Sequence, residues 1–248
     1  MILVTGPTGS GKTTTLYASI RHINNQTQNI LTVEDPVEYT LTGIGQTQVN
    51  NKTGYDFSTG LRSILRQDPD IVMLGEIRDE ETARIAIQAS LTGHLVLSTV
   101  HTTSAVGAIT RLRDMGIESY LLASSIKTII AQRLVRRLCE ACKVSATISV
   151  SNADLLGLKA GSKTFIPEGC AQCDGSGYQG RIAIAESVLV DADMKNLIHE
   201  ETSEQELQAF AFKKSDSIHE MGSDLIKTGM TSVNELIRLN NQAEDAGI

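Results

Sequence analysis

Residues 6–13 read Gly6-Pro7-Thr8-Gly9-Ser10-Gly11-Lys12-Thr13 and fit the pattern G-x-x-x-x-G-K-[ST], which is typical of a phosphate-binding loop. The apolar residues 1–4 before this loop can form a buried parallel strand, and residues 12–20 after it can begin a helix. Together these elements direct backbone N–H groups and the positive end of a helix dipole toward one anion. A chance match in a surface turn is the alternative, and both flanking elements argue against it.

The same pattern assigns ligands to particular side chains. Lys12 is expected to reach the β- and γ-phosphates of ATP, and the Thr13 hydroxyl is expected to bind Mg²⁺. The residues predicted to bind the nucleotide are Gly6, Pro7, Thr8, Gly9, Ser10, Gly11, Lys12, Thr13 and Thr14. The loop therefore predicts ATP and Mg²⁺ as cofactors.

The bulk composition narrows the class of protein. A chain of 248 residues can form one large domain, or one domain with a smaller module. The net charge of −7 argues against nucleic-acid binding as the main role. No apolar run approaches the length of about 18 residues that a membrane span needs, and no signal peptide is visible. We therefore expect a cytoplasmic protein.

Because the first recognisable strand opens the chain, we also expect a C-terminal portion of a longer protein; a natural minimal protein is the alternative.

Two further predicted strands end in acidic residues. Glu34 follows the apolar run 30–33, and Glu76 follows the run 71–74 after one glycine. Carboxyl ends of parallel strands face the crevice where α/β sheets bind ligands. Glu34 or the nearby Glu38 is expected to orient or deprotonate a water molecule or to hold Mg²⁺, and Glu76 is expected to act on Mg²⁺ or its water. Solvated acids at the surface are the alternative.

Three cationic groups are candidates for contacting phosphate. His101 follows the apolar run 95–97 on the presumed ligand edge, which favours a phosphate-sensing role. His94 precedes that run, at its opposite end, and is interpreted as structural. Arg62 and Arg66 are four residues apart on a predicted helix and share one face, which is either solvated or able to reach a phosphate across a subunit boundary.

Taken in order, these segments resemble the C-terminal motor domain of the secretion ATPase superfamily, the hexameric ATPases of type II secretion and type IV pilus assembly. The matching segments are the phosphate-binding loop at residues 6–18, an Asp box at 32–39, a Walker B segment at 65–79, a His box at 92–102, and residues 131–135. The resemblance covers nearly the whole chain and is densest up to about residue 145.

The resemblance implies ATP hydrolysis. Lys12, Glu34, Glu76 and His101 would be the catalytic set, with the two acids handling water and Mg²⁺ and His101 contacting the γ-phosphate. Arginines from adjacent subunits or domains complete such sites, and the candidates here are Arg62, Arg66, Arg78 and Arg84. The family also carries an N-terminal domain that packs on the nucleotide. Implied partners are further copies in a homohexamer, an inner-membrane platform protein and other secretion or pilus components. The resemblance implies no direct nucleic acid and a place at the inner membrane through partners alone.

Four cysteines form two C-x-x-C pairs, Cys139 with Cys142 and Cys170 with Cys173. Four thiolates satisfy the tetrahedral preference of a structural Zn²⁺ site and leave no open position for chemistry. Disulfides are the alternative, and a cytoplasmic setting disfavours them. The resemblance points the same way, because the pilus assembly and type II secretion ATPases carry a tetracysteine metal subdomain that pilus retraction ATPases generally lack.

The remaining segments predict mostly helices, at about residues 104–114 and 119–138 and again from 191 to 240. The whole chain therefore predicts an α/β fold of three parts. A RecA-like P-loop NTPase core spans 1–138, a tetracysteine zinc-binding subdomain spans 139–186, and a C-terminal helical subdomain spans 187–248.

Two other functions remain open on the sequence. Arg133, Arg136 and Arg137 lie near the first cysteine pair and motivate a zinc-bearing nucleic-acid translocase or binding module. The acidic balance and the segments that resemble the secretion ATPases count against it. A nucleotide-gated scaffold that binds ATP without hydrolysing it is a weaker alternative.

Overall fold

The apolar runs of the first half of the chain form short parallel strands. A computed structural model describes residues 1–25 and 27–245. The strands are β1 Ile2–Thr5, β2 Ile30–Glu34, β3 Gly45–Gln48, β4 Ile71–Leu74, β5 Leu95–Val100, β6 Thr128–Leu138, β7 Val144–Thr147, β8 Lys163–Ile166 and β9 Tyr178–Leu189. The larger sheet has the order β3-β2-β4-β5-β1-β6-β9. Pairing is parallel between β3 and β2, β2 and β4, β4 and β5, β5 and β1, and β1 and β6. The predicted α/β class with a parallel sheet is confirmed.

Helices form most of the crossovers between the parallel strands, whereas β2 and β3 are connected by residues 35–44 without a helix. The helices are α1 Lys12–Ile23, α2 Phe57–Ile64, α3 Glu80–Leu91, α4 Gly107–Asp114, α5 Ser119–Ser125, α6 Val150–Leu155, α7 Ala192–His199, α8 Glu204–Ala211, α9 Ile218–Lys227 and α10 Val233–Asp245. The Asp79 side chain caps α3 by accepting from the Thr82 amide at 2.8 Å, so the helix begins at Glu80, shortly after the segment that carries Glu76. No helix within residues 1–25 and 27–245 combines the length and the apolar character that crossing a bilayer requires.

The chain divides into two compact units. The first contains Met1–Ala131 and Ser187–Ser215, and the second contains Gln132–Glu186 and the described residues from Asp216 onward. In the first unit, Leu16, Tyr17 and Ile20 from α1 pack with residues of β1, β2, β4 and β5 in one buried apolar cluster. This cluster fixes the helix that follows the phosphate-binding loop against the sheet.

The second unit has its own core. Strands β7 and β8 pair antiparallel, and α6 lies between them in the chain. Its buried cluster combines apolar residues of β6, β9, α6, α9 and α10. The division predicted at residues 138 and 186 stays a prediction, since the compact units separate at 131, 186 and 215. Helices α7 and α8 thus belong to the first unit, and the end of the predicted C-terminal subdomain, residues 246–248, lies outside the described residues.

The helix predicted over residues 119–138 is wrong in its second half. Helix α5 ends at Ser125, and residues from Thr128 onward form β6. Thr128, Ile129 and Ile130 are β-branched and favour extended backbone. Strand β1 also offers a free edge on the side away from β5, and Thr128 to Ala131 pair with it in parallel register. This tertiary pairing outweighs the helical spacing of the apolar residues.

Gly60 lets α2 lie close to β2. A Cβ atom added at Gly60 would lie 2.8 Å from Val33 Cγ1 and 3.2 Å from Tyr55 Cε1. We predict that Gly60→Ala lowers the free energy of unfolding by about 1–3 kcal/mol, because overpacking outweighs the gain in helix propensity. Urea unfolding followed by circular dichroism measures this change.

The exposed Ser63→Ala substitution on the same helix is the control and should change stability by less than about 0.5 kcal/mol. In the double variant with Val33→Ala, the Gly60→Ala substitution should cost less than it does alone, because the clashing methyl groups are gone. Equal costs in both backgrounds would show that close packing on Val33 is not the reason for glycine.

Candidate active site

The phosphate-binding loop lies between β1 and α1. Gly9 and Gly11 have φ angles of 79° and 87°, a backbone region that side chains disfavour, so the loop needs glycine at both positions. Gly11 is the N-cap of α1 and has no side chain with which to cap the helix. An anion can therefore take that role at the first turn, where Thr13 and Thr14 are exposed.

Lys12 is held inside this loop. Its amine donates hydrogen bonds to the carbonyl oxygens of Gly6 at 2.8 Å and Pro7 at 3.1 Å, and the residue is buried. The loop thus wraps around the ammonium group and sets a fixed positive charge beside its own backbone. These features fit a polyphosphate ligand, and the exposed Thr13 hydroxyl fits a place on its magnesium ion.

Glu76 lies at the carboxyl end of β4, in a segment held from both sides. The Gly75 amide donates to the Val33 carbonyl at 2.8 Å, and the Thr99 hydroxyl donates to the Gly75 carbonyl at 2.8 Å. The Ile77 amide donates to the Thr99 carbonyl at 2.9 Å. These bonds join the segment to β2 and β5, so the Glu76 backbone has little freedom to move.

The Glu76 carboxylate contacts an arginine and a histidine. One oxygen is paired with Arg78, and the other lies 3.3 Å from Nε2 of His101, which directly follows β5. The side chain of Glu76 is 14% exposed and that of His101 is 49% exposed, so a ligand can reach both. Burial and the nearby Lys12 charge lower the pKa of His101 below its usual value, and Glu76 opposes that shift. Lys12, Glu76 and His101 are thus brought together as one constellation.

Glu34 is also placed near the carboxyl end of its strand, but its carboxylate is buried and engaged. The Tyr17 hydroxyl donates to Oε2. The other oxygen, Oε1, accepts from the Thr32 hydroxyl at 2.5 Å and from Nε2 of Gln46 at 3.0 Å. Burial, followed by the Glu34 hydrogen bond, raises the pKa of Tyr17 to about 12. Glu38, in contrast, is exposed.

Sequence reasoning missed the partners of Glu34. Thr32 could have been found from strand periodicity, because residues two apart on a strand face the same side. Tyr17 and Gln46 carry no comparable signal, since they lie 17 residues before and 12 residues after Glu34. They meet Glu34 only when α1 and β3 pack beside β2.

The four candidate arginines are separated by the fold. Arg78 pairs with Glu76, and its guanidinium lies 6.0 Å from the centre of the Phe57 ring. Arg84 pairs with Glu80 at 2.9 Å and with Glu118 at 3.3 Å. The remaining two are exposed: Arg62 pairs with Glu81 at 2.6 Å, and Arg66 pairs with no acidic side chain in the described part of the chain. Of the four, Arg78 is the one that contacts the constellation in the same chain.

The four cysteines converge in the second unit. Their sulfur atoms all lie within 4.8 Å of one another. Individual Sγ–Sγ distances are 3.9 Å for Cys139–Cys170 and 3.8 Å for both Cys142–Cys173 and Cys170–Cys173. Four sulfur atoms at about 2.3 Å from a tetrahedral Zn²⁺ lie about 3.8 Å apart. The donor set and its spacing therefore fit a Zn²⁺ ion, and the amides of Cys170 and Gly177 each donate to Cys173 Sγ at 3.2 Å.

The arginines near the first cysteine pair are engaged within the second unit. Arg136 pairs with Glu235 at 2.6 Å and lies 4.1 Å from the centre of the Tyr178 ring. Arg137 lies 3.5 Å from Glu140. Arg133 is buried, and this burial lowers its pKa while Glu186 opposes the shift. These side chains leave little free positive charge for a nucleic-acid backbone.

Comparisons with known proteins place the chain among secretion proteins. A family model described as "Type II/IV secretion system protein" matches residues 1–238. Type II secretion system protein E of Pseudomonas aeruginosa is 56% identical over 244 residues, which cover 98% of this chain and 49% of that protein. Type II secretion system ATPase E of Vibrio cholerae is 51% identical over 245 residues, with coverages of 98% and 49%. The chain thus spans about half the length of the curated relatives it matches.

Solved structures show the same fold. The crystal structure of the pilus retraction motor PilT with bound ADP has a TM-score of 0.73 and 28% identity, over 96% of this chain and 60% of that chain. The ATPase DotB of Legionella pneumophila has a TM-score of 0.70 at 23% identity, over 98% of this chain and 60% of that chain, and supports the fold alone. The parallel sheet and its connecting helices therefore belong to a known architecture.

We predict that two substitutions near His101 shift its pKa in opposite directions. Glu76→Gln removes a negative charge and should lower the pKa of His101 further, whereas Arg78→Gln removes a positive charge and should raise it. A pH titration of the imidazole signals by NMR measures both shifts. The His94 signal, from the other end of β5, is the control. Shifts in the same direction, or no shift in either variant, would contradict the arrangement.

Proposed function

This chain belongs to the type II/IV secretion system protein family, and from that premise we propose that it is the ATP-hydrolysing part of a secretion motor that works as a homohexamer. The observation that carries the proposal is the constellation of Lys12, Glu76 and His101 at one edge of the parallel sheet. A fixed ammonium group, a carboxylate and an imidazole beside a phosphate-binding loop suit the cleavage of a phosphoanhydride.

The proposed core is the RecA-like type of P-loop NTPase, with the tetracysteine and helical subdomains attached. The names of the two relatives at 56% and 51% identity support type II protein secretion as the process that is powered. Type IV pilus assembly is the other process that a motor of this type could drive. The engaged arginines of the second unit weaken the proposal of a nucleic-acid translocase.

In the proposed reaction, water attacks the γ-phosphorus of ATP, the bond to the bridging oxygen breaks, and ADP and phosphate leave. Mg²⁺ held by Thr13 would neutralise charge on the phosphates. Lys12 supplies a positive charge to the β- and γ-phosphates from a position that its carbonyl partners fix before substrate binds. Backbone N–H groups of the phosphate-binding loop, apart from Pro7, which has none, bind the remaining phosphate oxygens.

Glu76 is the proposed group that orients the attacking water. Its carboxylate is 14% exposed, and its backbone is joined to both neighbouring strands. His101 contacts the γ-phosphate from the end of β5 and is partly exposed for that purpose. Burial and the Lys12 charge lower its pKa and so favour the neutral imidazole, which can donate a single N–H to a phosphate oxygen.

Glu34 is proposed to act by position. Three donors fix the orientation of its carboxylate, which would supply a fixed negative charge to the site when Mg²⁺ and water are bound. Glu38 is the exposed acid of the same segment and is the alternative for direct contact with water. The arginines Arg62 and Arg66 are exposed and are proposed to reach a neighbouring subunit.

The partners follow from this role. We propose an inner-membrane platform protein and other components of the secretion machinery as partners, with the motor in the cytoplasm and at the membrane through those partners alone. Nucleic acid has no place in this proposal.

Lys12→Ala and Glu76→Gln test the reaction in the full-length assembly. Each should lower phosphate release at least about 100-fold, because each removes a charge that acts in the transition state. Glu76→Gln should still bind ATP, while Lys12→Ala should bind it more weakly. Phosphate release and binding of a fluorescent ATP analogue measure the two effects. The Asp154→Asn substitution, at an exposed residue, is the matched carboxylate-to-amide control. Normal hydrolysis by Glu76→Gln would contradict the proposed role of Glu76 in orienting the attacking water.

Zn²⁺ is proposed as the structural ion of the second unit, held by Cys139, Cys142, Cys170 and Cys173. Four thiolates would otherwise repel one another at distances of 3.8–3.9 Å. The ion would join the two C-x-x-C turns, which lie 31 residues apart, and would take no part in hydrolysis.

Metal analysis of the purified chain should find about one zinc per chain. Removal by a chelator should lower the free energy of unfolding by at least about 2 kcal/mol, because the ion binds the folded state alone. Re-addition of Zn²⁺ should restore stability, and Mg²⁺ should not. Cys170→Ser should reproduce the chelated state. A zinc-free chain of unchanged stability would contradict the proposal.

A further inference from the structure

Glu204, the first residue of α8, contacts the segment that follows His101. Its Oε1 accepts a hydrogen bond from the Ser104 hydroxyl at 3.2 Å, and its Oε2 accepts one from the Thr110 hydroxyl at 3.0 Å. These partners are 100 and 94 residues away in the chain, and all three residues belong to the first compact unit. One carboxylate thus binds the loop before α4 and the first turn of α4 itself.

The packing at Gly107 shows how closely the carboxylate approaches. A Cβ atom added there would lie 2.8 Å from Ser104 Oγ and 3.2 Å from Glu204 Oε1. The Gly107 amide, at the first residue of α4, donates to Ser104 Oγ at 2.9 Å, so this hydroxyl binds both the start of α4 and Glu204. The negative charge also lies beside the first turn of α4, where a helix dipole favours it.

Hydrogen bonds continue from Ser104 to the phosphate-binding loop. The Ser104 carbonyl accepts from the Thr102 hydroxyl at 2.8 Å. The Thr102 amide donates to the Thr5 hydroxyl at 2.9 Å, and Thr5 directly precedes Gly6. His101 directly precedes Thr102. The path from Glu204 therefore ends at the two elements that contact phosphate in the proposed function.

Other bonds fix the element that carries Glu204. Arg113 on α4 donates to the carbonyl oxygens of Ile198 at 2.8 Å and Thr202 at 3.1 Å. The Ser119 hydroxyl at the start of α5 donates to Glu201 at 3.2 Å. The connection between α7 and α8 is therefore fixed to α4 and α5, and this limits the movement of the Glu204 carboxylate relative to the loop that it binds.

We propose that Glu204 is a positioning residue that holds the loop of residues 101–107, and with it the imidazole of His101, at the phosphate-binding site. The proposal deepens the proposed function and rests on it, since the value of this placement lies in the contact between His101 and the γ-phosphate. Neither the phosphate-binding motif nor the acidic strand ends point to a residue in the C-terminal helices.

Hydrogen exchange followed by mass spectrometry tests the contact in the nucleotide-free chain. Glu204→Ala should speed exchange of the Thr102 and Gly107 amides about tenfold, because both amides lie in the loop that Glu204 binds and their hydrogen bonds to Thr5 and Ser104 depend on its position. Glu204→Gln keeps one acceptor oxygen and should give a smaller increase. Glu206→Ala is the matched control, since it removes a carboxylate from the same helical turn. The Glu206 carboxylate accepts from the hydroxyl of Ser203, the N-cap of α8. Equal exchange in the Glu204→Ala and Glu206→Ala variants would overturn the proposal.

Steady-state kinetics of the full-length assembly separate positioning from a merely structural role. Glu204→Ala should lower kcat for ATP hydrolysis about tenfold and change KM by less than about twofold, because the phosphate-binding loop keeps its own contacts. Glu204→Gln should recover part of kcat. A raised KM with unchanged kcat would overturn the positioning role. If the unmodified assembly hydrolyses no ATP, the proposed function fails, and the exchange comparison still decides whether Glu204 holds the loop.

Discussion

Parallel pairing of β1, β4 and β5 is the constraint on which the site depends. Because β1 and β4 both pair in parallel with β5, their carboxyl ends meet at one edge of the sheet. The phosphate-binding loop follows the first of these strands, Glu76 follows the second and His101 follows the third. Residues 12, 76 and 101 are thus distant in the chain, but their side chains lie close enough together in the fold for their charges to interact. A change of strand order or direction would separate them while leaving every motif intact.

The surroundings of Glu76, Glu34 and His101 differ in charge and in exposure to solvent. Glu76 lies between Arg78 and His101 and keeps some exposure, whereas Glu34 is buried and accepts three hydrogen bonds. The two acids occupy similar places in their motifs, yet a water molecule could reach one far more easily than the other. His101 experiences both the Lys12 charge and the Glu76 charge. The state of its imidazole therefore depends on what binds the loop, which suits a group that senses phosphate.

The second unit follows a different constraint. Strands β6 and β9 and helices α6, α9 and α10 bury an apolar cluster. The two C-x-x-C turns, in contrast, contribute few apolar side chains that could hold them together. Their four thiols lie at metal-binding distance, and the proposed Zn²⁺ would join the two turns. With the proposed ion bound, stability in this unit would depend on donor geometry as well as on its apolar cluster, whereas the first unit is held by the packing of helices on a parallel sheet.

The sequence by itself determined the α/β class, the phosphate-binding loop, the acidic ends of two strands and the cysteine quartet, because each is a local pattern of residue types with fixed spacing. It misassigned residues 128–138, where pairing with β1 outweighs local helical spacing. Only the tertiary structure decided that Glu34 is enclosed by Tyr17, Thr32 and Gln46, that Arg78 contacts Glu76, and that Glu204 reaches the loop after His101. The physical reason is that these contacts join residues from separate elements, and no spacing along the chain records which elements pack side by side.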